Sequence, residues 1–498
     1  MALIPLNIPP GIHANGTSFK TGQQGRWWRG NLVRFQAGLL APVGGWVKVS
    51  DTTLDGFARG MHAWRDNGLR RRLAIGTNEA LYTYSDSGEI EDITPLYFAP
   101  GRVDGIYADG YGYGDYGDST YGTARESSEE RLLVGASTWA LDNWGENLVG
   151  VASHEGVIYE WAPGDAAATE ISEAPTANRS LIVTPERHLV ALGADGNPRS
   201  VAWSDREDNT EWTASSTTLA GSIELQTQGL IECALKVRGE VLILTDQDAH
   251  SMRFVGSPLV YGFDRVGSAC GVAGAHAAVA ADGWAAWMGQ GGFFIYDGAV
   301  RDLPSDVYDY VFSDINKIQR SKIFGGLNND FSEIWWFYAS AASTEIDRYV
   351  IWNYAEHVWS VGELARTSWA PTGVFNTPLL MSVDGTLYEH ESGWTNNGTA
   401  IGSDRYAESG ALSIAEGDSV MSVLKMLPDE RSAGDTRVRF KTRFAPNGSE
   451  TLYGPYSLSA FTDMRFQARQ VSLLVEGVED DDWRIGLPRF DVIEGGRR

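Results

Sequence analysis

The chain has 498 residues, enough for about three domains at common sizes, although a large β architecture can run this length as one unit. Its 40 basic and 65 acidic side chains leave a formal charge of −25, which opposes nonspecific adhesion to nucleic acid or anionic lipid. With 43% hydrophobic and 21% charged residues it has the apolar mass for a core. The 57 Gly beside 18 Trp, 20 Tyr and 18 Phe suit a turn-rich β protein and exclude an all-helical one.

Residues 1–53 read as an extended arm and first strands. Pro5, Pro9 and Pro10 interrupt the initial apolar stretch and the first basic residue is Lys20, unlike a secretory signal. No apolar run approaches the roughly 18–20 residues of a membrane helix, so a soluble chain made in the cytoplasm is expected, with no membrane contact implied. The segment from Arg26 to Phe35 is aromatic and basic. Arg26, Trp27, Trp28, Arg29 and Arg34 form either a core strand with solvated arginines or an interface for an acidic partner.

From about 54 to 400, short strands ending in an aromatic recur. They are Ala80–Tyr84, Gly156–Trp161, Ser200–Ser204, His250–Phe254, Gly292–Gly298, Arg348–Asn353 and Gly385–His390. Many follow another apolar strand, such as Glu240–Thr245 or Gly283–Met288. The uneven spacing straddles the ~40–50 residue period of four-stranded propeller blades. A lone blade cannot cover both faces, whereas blades packed radially bury one another, and aromatics fill the wedge between them. Six or seven blades fit the marks; the expectation is an irregular β-propeller of about six, with one of the seven marks given to a closing strand. Residues 101–127 break the pattern as a Gly/Tyr/Asp-rich loop. Its Tyr107, Tyr111, Tyr113, Asp115, Tyr116, Asp118 and Tyr121 are candidates for a gate or a partner contact. Residues 401–498 alternate with period two between turns, as in a small β-sandwich or barrel serving as a platform.

Chemical motifs are scarce. The eight His are scattered, Cys233 and Cys270 form no CxxC pair, and there is no HExxH, GxSxG, Walker A or Rossmann fingerprint. Asp109, Asp115 and Asp118 resemble calcium-loop spacing only loosely, and Asp480–Asp482 reads as a solvated turn. Asp246, Asp248, Asp302 and Asp306 are possible glycosidase carboxylates that sequence cannot pair across a cleft. The sequence therefore carries no assigned catalytic residue, metal ligand or cofactor, and a chain that is not an enzyme is expected.

Both ends carry a resemblance. Asn31-Leu32-Val33-Arg34-Phe35, Gly38 and Gly44-Gly45-Trp46 open the chain; Asp482-Trp483-Arg484-Ile485-Gly486, Phe490-Asp491-Val492 and Gly495-Gly496-Arg497-Arg498 close it. These resemble the start and finish of the tail hub or nozzle proteins of short-tailed bacteriophages, a family that includes packaged-DNA stabilisation proteins. The resemblance implies a homohexameric ring in the virion tail, below the portal and head-tail adaptor. It implies that the ring passes genomic DNA without sequence-specific binding, helps retain the genome and meets a tail needle, spike or fibre. Six copies at −25 each would carry −150, so DNA would be repelled from the wall rather than held. The alternatives are a carbohydrate-binding or glycoside-cleaving propeller, whose Trp and Tyr would serve as sugar platforms, and a receptor-binding tail tip.

Overall fold

The computed structural model describes residues 2–108, 132–413, 419–431, 435–445 and 447–495. Seven four-stranded antiparallel sheets succeed one another along the chain, at 58–92, 139–170, 180–224, 231–268, 278–303, 324–363 and 368–390. Their first strands neighbour one another in sequence order, and the first strand of the seventh sheet returns against that of the first. This ring of sheets is a β-propeller. The seventh sheet takes its outermost strand, Trp46–Lys48, from near the N-terminus, with His390 opposite Trp46 and Tyr388 opposite Lys48.

The propeller thus has seven blades rather than six. Each of the seven aromatic marks coincides with the third strand of a blade: Leu81–Ser85, Ile158–Trp161, Ser200–Trp203, Asp248–Gly256, Phe293–Tyr296, Arg348–Asn353 and Leu387–His390. None of them closes the ring. That task falls to a three-residue strand too short to show a period.

Local sequence explains the blades. Glu240–Thr245 is a branched, buried run, and it follows a turn at Arg238-Gly239 in which both residues have positive φ, as a two-residue hairpin turn requires. Tryptophans knit blades together. Trp139, on the first strand of blade 2, covers Gly76 of blade 1 and donates its indole N–H to Thr77 O at 2.7 Å. Trp369 of blade 7 covers Gly326 of blade 6 in the same manner. In each case the missing Cβ is what lets a large ring lie on the neighbouring sheet.

Among the described residues, the remaining strands build two two-stranded hairpins and two larger sheets. One runs Ala2–Pro5, Arg489–Glu494, Met421–Leu427, Thr462–Ala468; the other runs Trp27–Asn31, Tyr406–Ser409, Gln470–Gly477, Thr436–Arg443, Thr451–Ser457. Thr436–Arg443 alternates buried and half-buried positions along its whole length, as period-two alternation demands. Met421, Val423, Phe440, Phe466, Leu473 and Phe490 belong to the core these sheets share with blades 5 and 6. Residues 1–53 are therefore divided between these two sheets, a hairpin of Val33–Gln36 with Leu39–Pro42, and the closing strand of the propeller.

Candidate functional site

An ionic cluster lies where the first strands of several blades meet. Blade 5 is followed by an insertion containing the helix Tyr308–Asp314 and the 3-10 segment Lys317–Lys322. Ser321 and Lys322 of this segment, with Arg59, Met61, His276 and Ser368 from around the ring, line a cavity of about 90 Å³. Lys322 is buried and donates to Thr344 O at 2.7 Å, to Asp104 and to Glu345. Arg59, also buried, pairs with Glu345. Burial alone would raise the Glu345 pKa, but Arg59 and Lys322 overcome it and hold the carboxyl below its ordinary value. His276 titrates below the usual imidazole range because burial disfavours its cation. Two cations face two carboxylates here, so the cavity has no surplus charge with which to hold an anion.

The Gly/Tyr-rich loop springs from beside this cluster. A hairpin of Ile106–Ala108 with Leu132–Val134 stands before and after it. Gly105 N donates to Gln319 Oε1 at 2.9 Å, Gln319 Nε2 donates back to Gly105 O, and Ala136 N donates to Ser321 Oγ. The hairpin is thereby seated on the 3-10 segment that lines the cavity. Of the candidate loop residues, Tyr107 lies on the hairpin and is exposed. Tyr111, Tyr113, Asp115, Tyr116, Asp118 and Tyr121 lie outside the described residues, as does Asp109.

The structure separates the five N-terminal candidates. Arg34 is buried, with Nε 3.1 Å from Glu333, Nη1 donating to Glu391 at 3.1 Å, and its guanidinium 3.7 Å from the centre of the Phe331 ring. Burial lowers the Arg34 pKa, but Glu333 and Glu391 outweigh it. Trp27 is buried in the core and Arg26 donates to Pro10 O. This corrects the expectation of one outward aromatic-basic interface: chain partners far away in sequence consume Arg34, and the core takes Trp27. Trp28 and Arg29 instead reach a pocket beside blade 6, with Tyr310, Arg348, Glu363 and Tyr406. Sequence reasoning missed the last four, which come from other elements.

Three of the four possible glycosidase carboxylates are tied into structure, and Asp302 is exposed on the outer strand of blade 5. Buried Asp248 accepts from the hydroxyls of Thr227 and Thr245, Asp246 accepts from Leu230 N, and Asp306 lies 3.2 Å from His13. Asp480 accepts from Ile401 N, Gly402 N and Arg405. Cys233 and Cys270 are buried free thiols, both pushed up in pKa by burial. Among the described residues no group of three His, Cys, Asp or Glu could hold a metal ion, and no helix is long and apolar enough to cross a membrane.

No family model and no curated protein matches the chain. Among solved structures it is similar to a streptogramin B lyase (8% identity, TM-score 0.40, 68% of this chain and 95% of that one). It is also similar to a catalytically inactive virginiamycin B lyase from Staphylococcus aureus crystallised with quinupristin (6%, 0.39, 68% and 97%). A third is the Pan2 WD40 domain of Neurospora crassa (8%, 0.39, 69% and 94%). At such identities the likeness concerns the propeller fold alone. The expectation that this chain is not an enzyme is corrected: two of the solved structures to which it is similar are lyases.

Proposed function

We propose that the chain is a subunit of a bacteriophage tail nozzle or hub. Six copies form a ring below the portal and adaptor, extend the DNA channel, help retain the packaged genome until ejection and dock distal tail parts such as a needle, spike or fibre. The observation that supports this reading is the meeting of the two segments that carry the family resemblance. Ile485 N donates to Leu40 O at 3.1 Å, and Phe35, Gly38, Leu40, Ile485 and Gly486 line one cavity of about 200 Å³. Segments more than 400 residues apart in sequence are thus joined in one structural unit.

The route for DNA in this reading lies between subunits. A repeated head-to-tail interface must close or polymerise, and closure leaves the central hole. The net charge of −25 per subunit keeps a polyanion sliding rather than bound. Negative-stain microscopy of the purified chain, with and without the portal-adaptor assembly of its phage, tests the proposal. Closed six-fold rings under either condition support it. A chain that stays monomeric in both, and is missing from purified virions, refutes it.

A further inference from the structure

The pocket that receives Trp28 and Arg29 lies where three parts of the chain converge. Trp28 and Arg29 belong to the strand Trp27–Asn31, Tyr406 to the strand paired with it, Tyr310 to the insertion helix Tyr308–Asp314, and Arg348 and Glu363 to blade 6. The cavity measures about 250 Å³.

Trp27 pairs with Ser409 and Arg29 with Glu408, so Trp28 is the extra residue of a β-bulge. Trp27 is buried in the core, whereas half-buried Trp28 packs against that core and also lines the pocket. Tyr310 and Tyr406 add two half-buried rings, and neither hydroxyl has a hydrogen-bond partner among the described residues. The exposed Arg29 side chain likewise makes no hydrogen bond or ion pair among the described residues.

The charge around the pocket narrows the ligand. Arg348 is met by Asp314, Asp347 and Glu363, so two arginines face three carboxylates and a phosphate or carboxylate ligand gains little. Arg29 at the rim disfavours an organic cation in the aromatic walls. What remains is a neutral ligand that presents C–H faces to rings and hydroxyls to a mixed set of donors and acceptors. Arg29 and the two phenols donate, and Glu363 accepts. We propose that this pocket binds one pyranose ring of a glycan, with Trp28, Tyr310 and Tyr406 against the ring faces and Arg29 and Glu363 on its hydroxyls. The inference rests on the pocket alone and is independent of the nozzle reading.

Saturation-transfer NMR on the full chain tests it. The probes are the methyl pyranosides of glucose, galactose, rhamnose and N-acetylglucosamine at about 5 mM, a level suited to millimolar Kd values. Transfer to at least one glycoside is expected with the wild-type chain. It should weaken at least roughly tenfold in W28A/R29A, with the melting midpoint measured alongside to show that the variant is folded at the temperature used. Should that variant fail to fold, R29A/E363Q alters only exposed side chains and must show the same weakening. No transfer to any of the four, or transfer undiminished in the folded variant, overturns the proposal. The free chain is used throughout, so a failure of ring formation leaves this result unaffected.

Discussion

The buried cluster Arg34–Glu333–Glu391 ties the N-terminal hairpin to blade 6 and to the end of blade 7, and its charge does not balance. One guanidinium serves two carboxylates, so the cluster holds one negative charge too many out of water. Burial pushes Glu333 up to about 7, against the pull of Arg34 and with the help of Glu391. The folded pKa exceeds the ordinary 4.5, so between these values the folded chain holds a proton that the unfolded chain releases. Stability from this residue is therefore fully present below about 4.5 and is lost as pH rises through about 7. At about 1.4 kcal/mol per pH unit the loss amounts to about 3 kcal/mol. Urea unfolding at pH 5 and pH 8 for the wild type and Glu333→Gln measures it. The variant still offers one oxygen to Arg34 Nε or to the Trp335 indole, which lies 3.0 Å from the carboxylate. It should be less stable than wild type at pH 5 by about 1–2 kcal/mol, and equal or better at pH 8. Glu232, also pushed up by burial, tilts the wild-type curve the same way, so the difference between the two proteins is the informative quantity. Parallel curves for the two proteins would refute the argument.

Other substitutions probe the ring and its ionic cluster. Lys322→Met removes the cation between Asp104 and Glu345 and should cost about 3–5 kcal/mol at pH 7 by urea unfolding. That penalty should shrink as falling pH protonates Glu345, whose stabilising charge is present above its ordinary pKa and lost below its depressed folded one. Trp46→Ala empties a buried site on the closing strand, losing the bond to Asn396 Oδ1 and the stacking on His390. A loss of about 3–5 kcal/mol is expected, read as a lowered melting midpoint. Gly76→Ala would set a Cβ 2.3 Å from the Trp139 ring and should cost about 1–3 kcal/mol by pushing blades 1 and 2 apart.

What the sequence revealed follows the reach of each interaction. The third strand of every blade is an aromatic run with its own turns, such as Phe293–Tyr296 before the turn at Asp297-Gly298, so local composition marked all seven. The closing strand Trp46–Lys48 is three residues whose partner begins 340 positions later, and no local period announces it; the blade count fell one short for that reason. Arg34 shows the same limit in electrostatics. Beside Arg26 and Arg29 it reads as part of a basic patch, yet its carboxylates come from positions 333 and 391, so the patch dissolves once the chain folds. The pocket at Trp28 was half legible. A Trp-Trp pair in a strand predicts one ring in and one out. Which ring meets Tyr310 and Tyr406, however, depends on a register set by a strand some 380 residues away. The bulge is set by tertiary pairing that no local pattern announces, and Trp28, its extra residue, packs on the core and lines the pocket on which the glycan proposal stands.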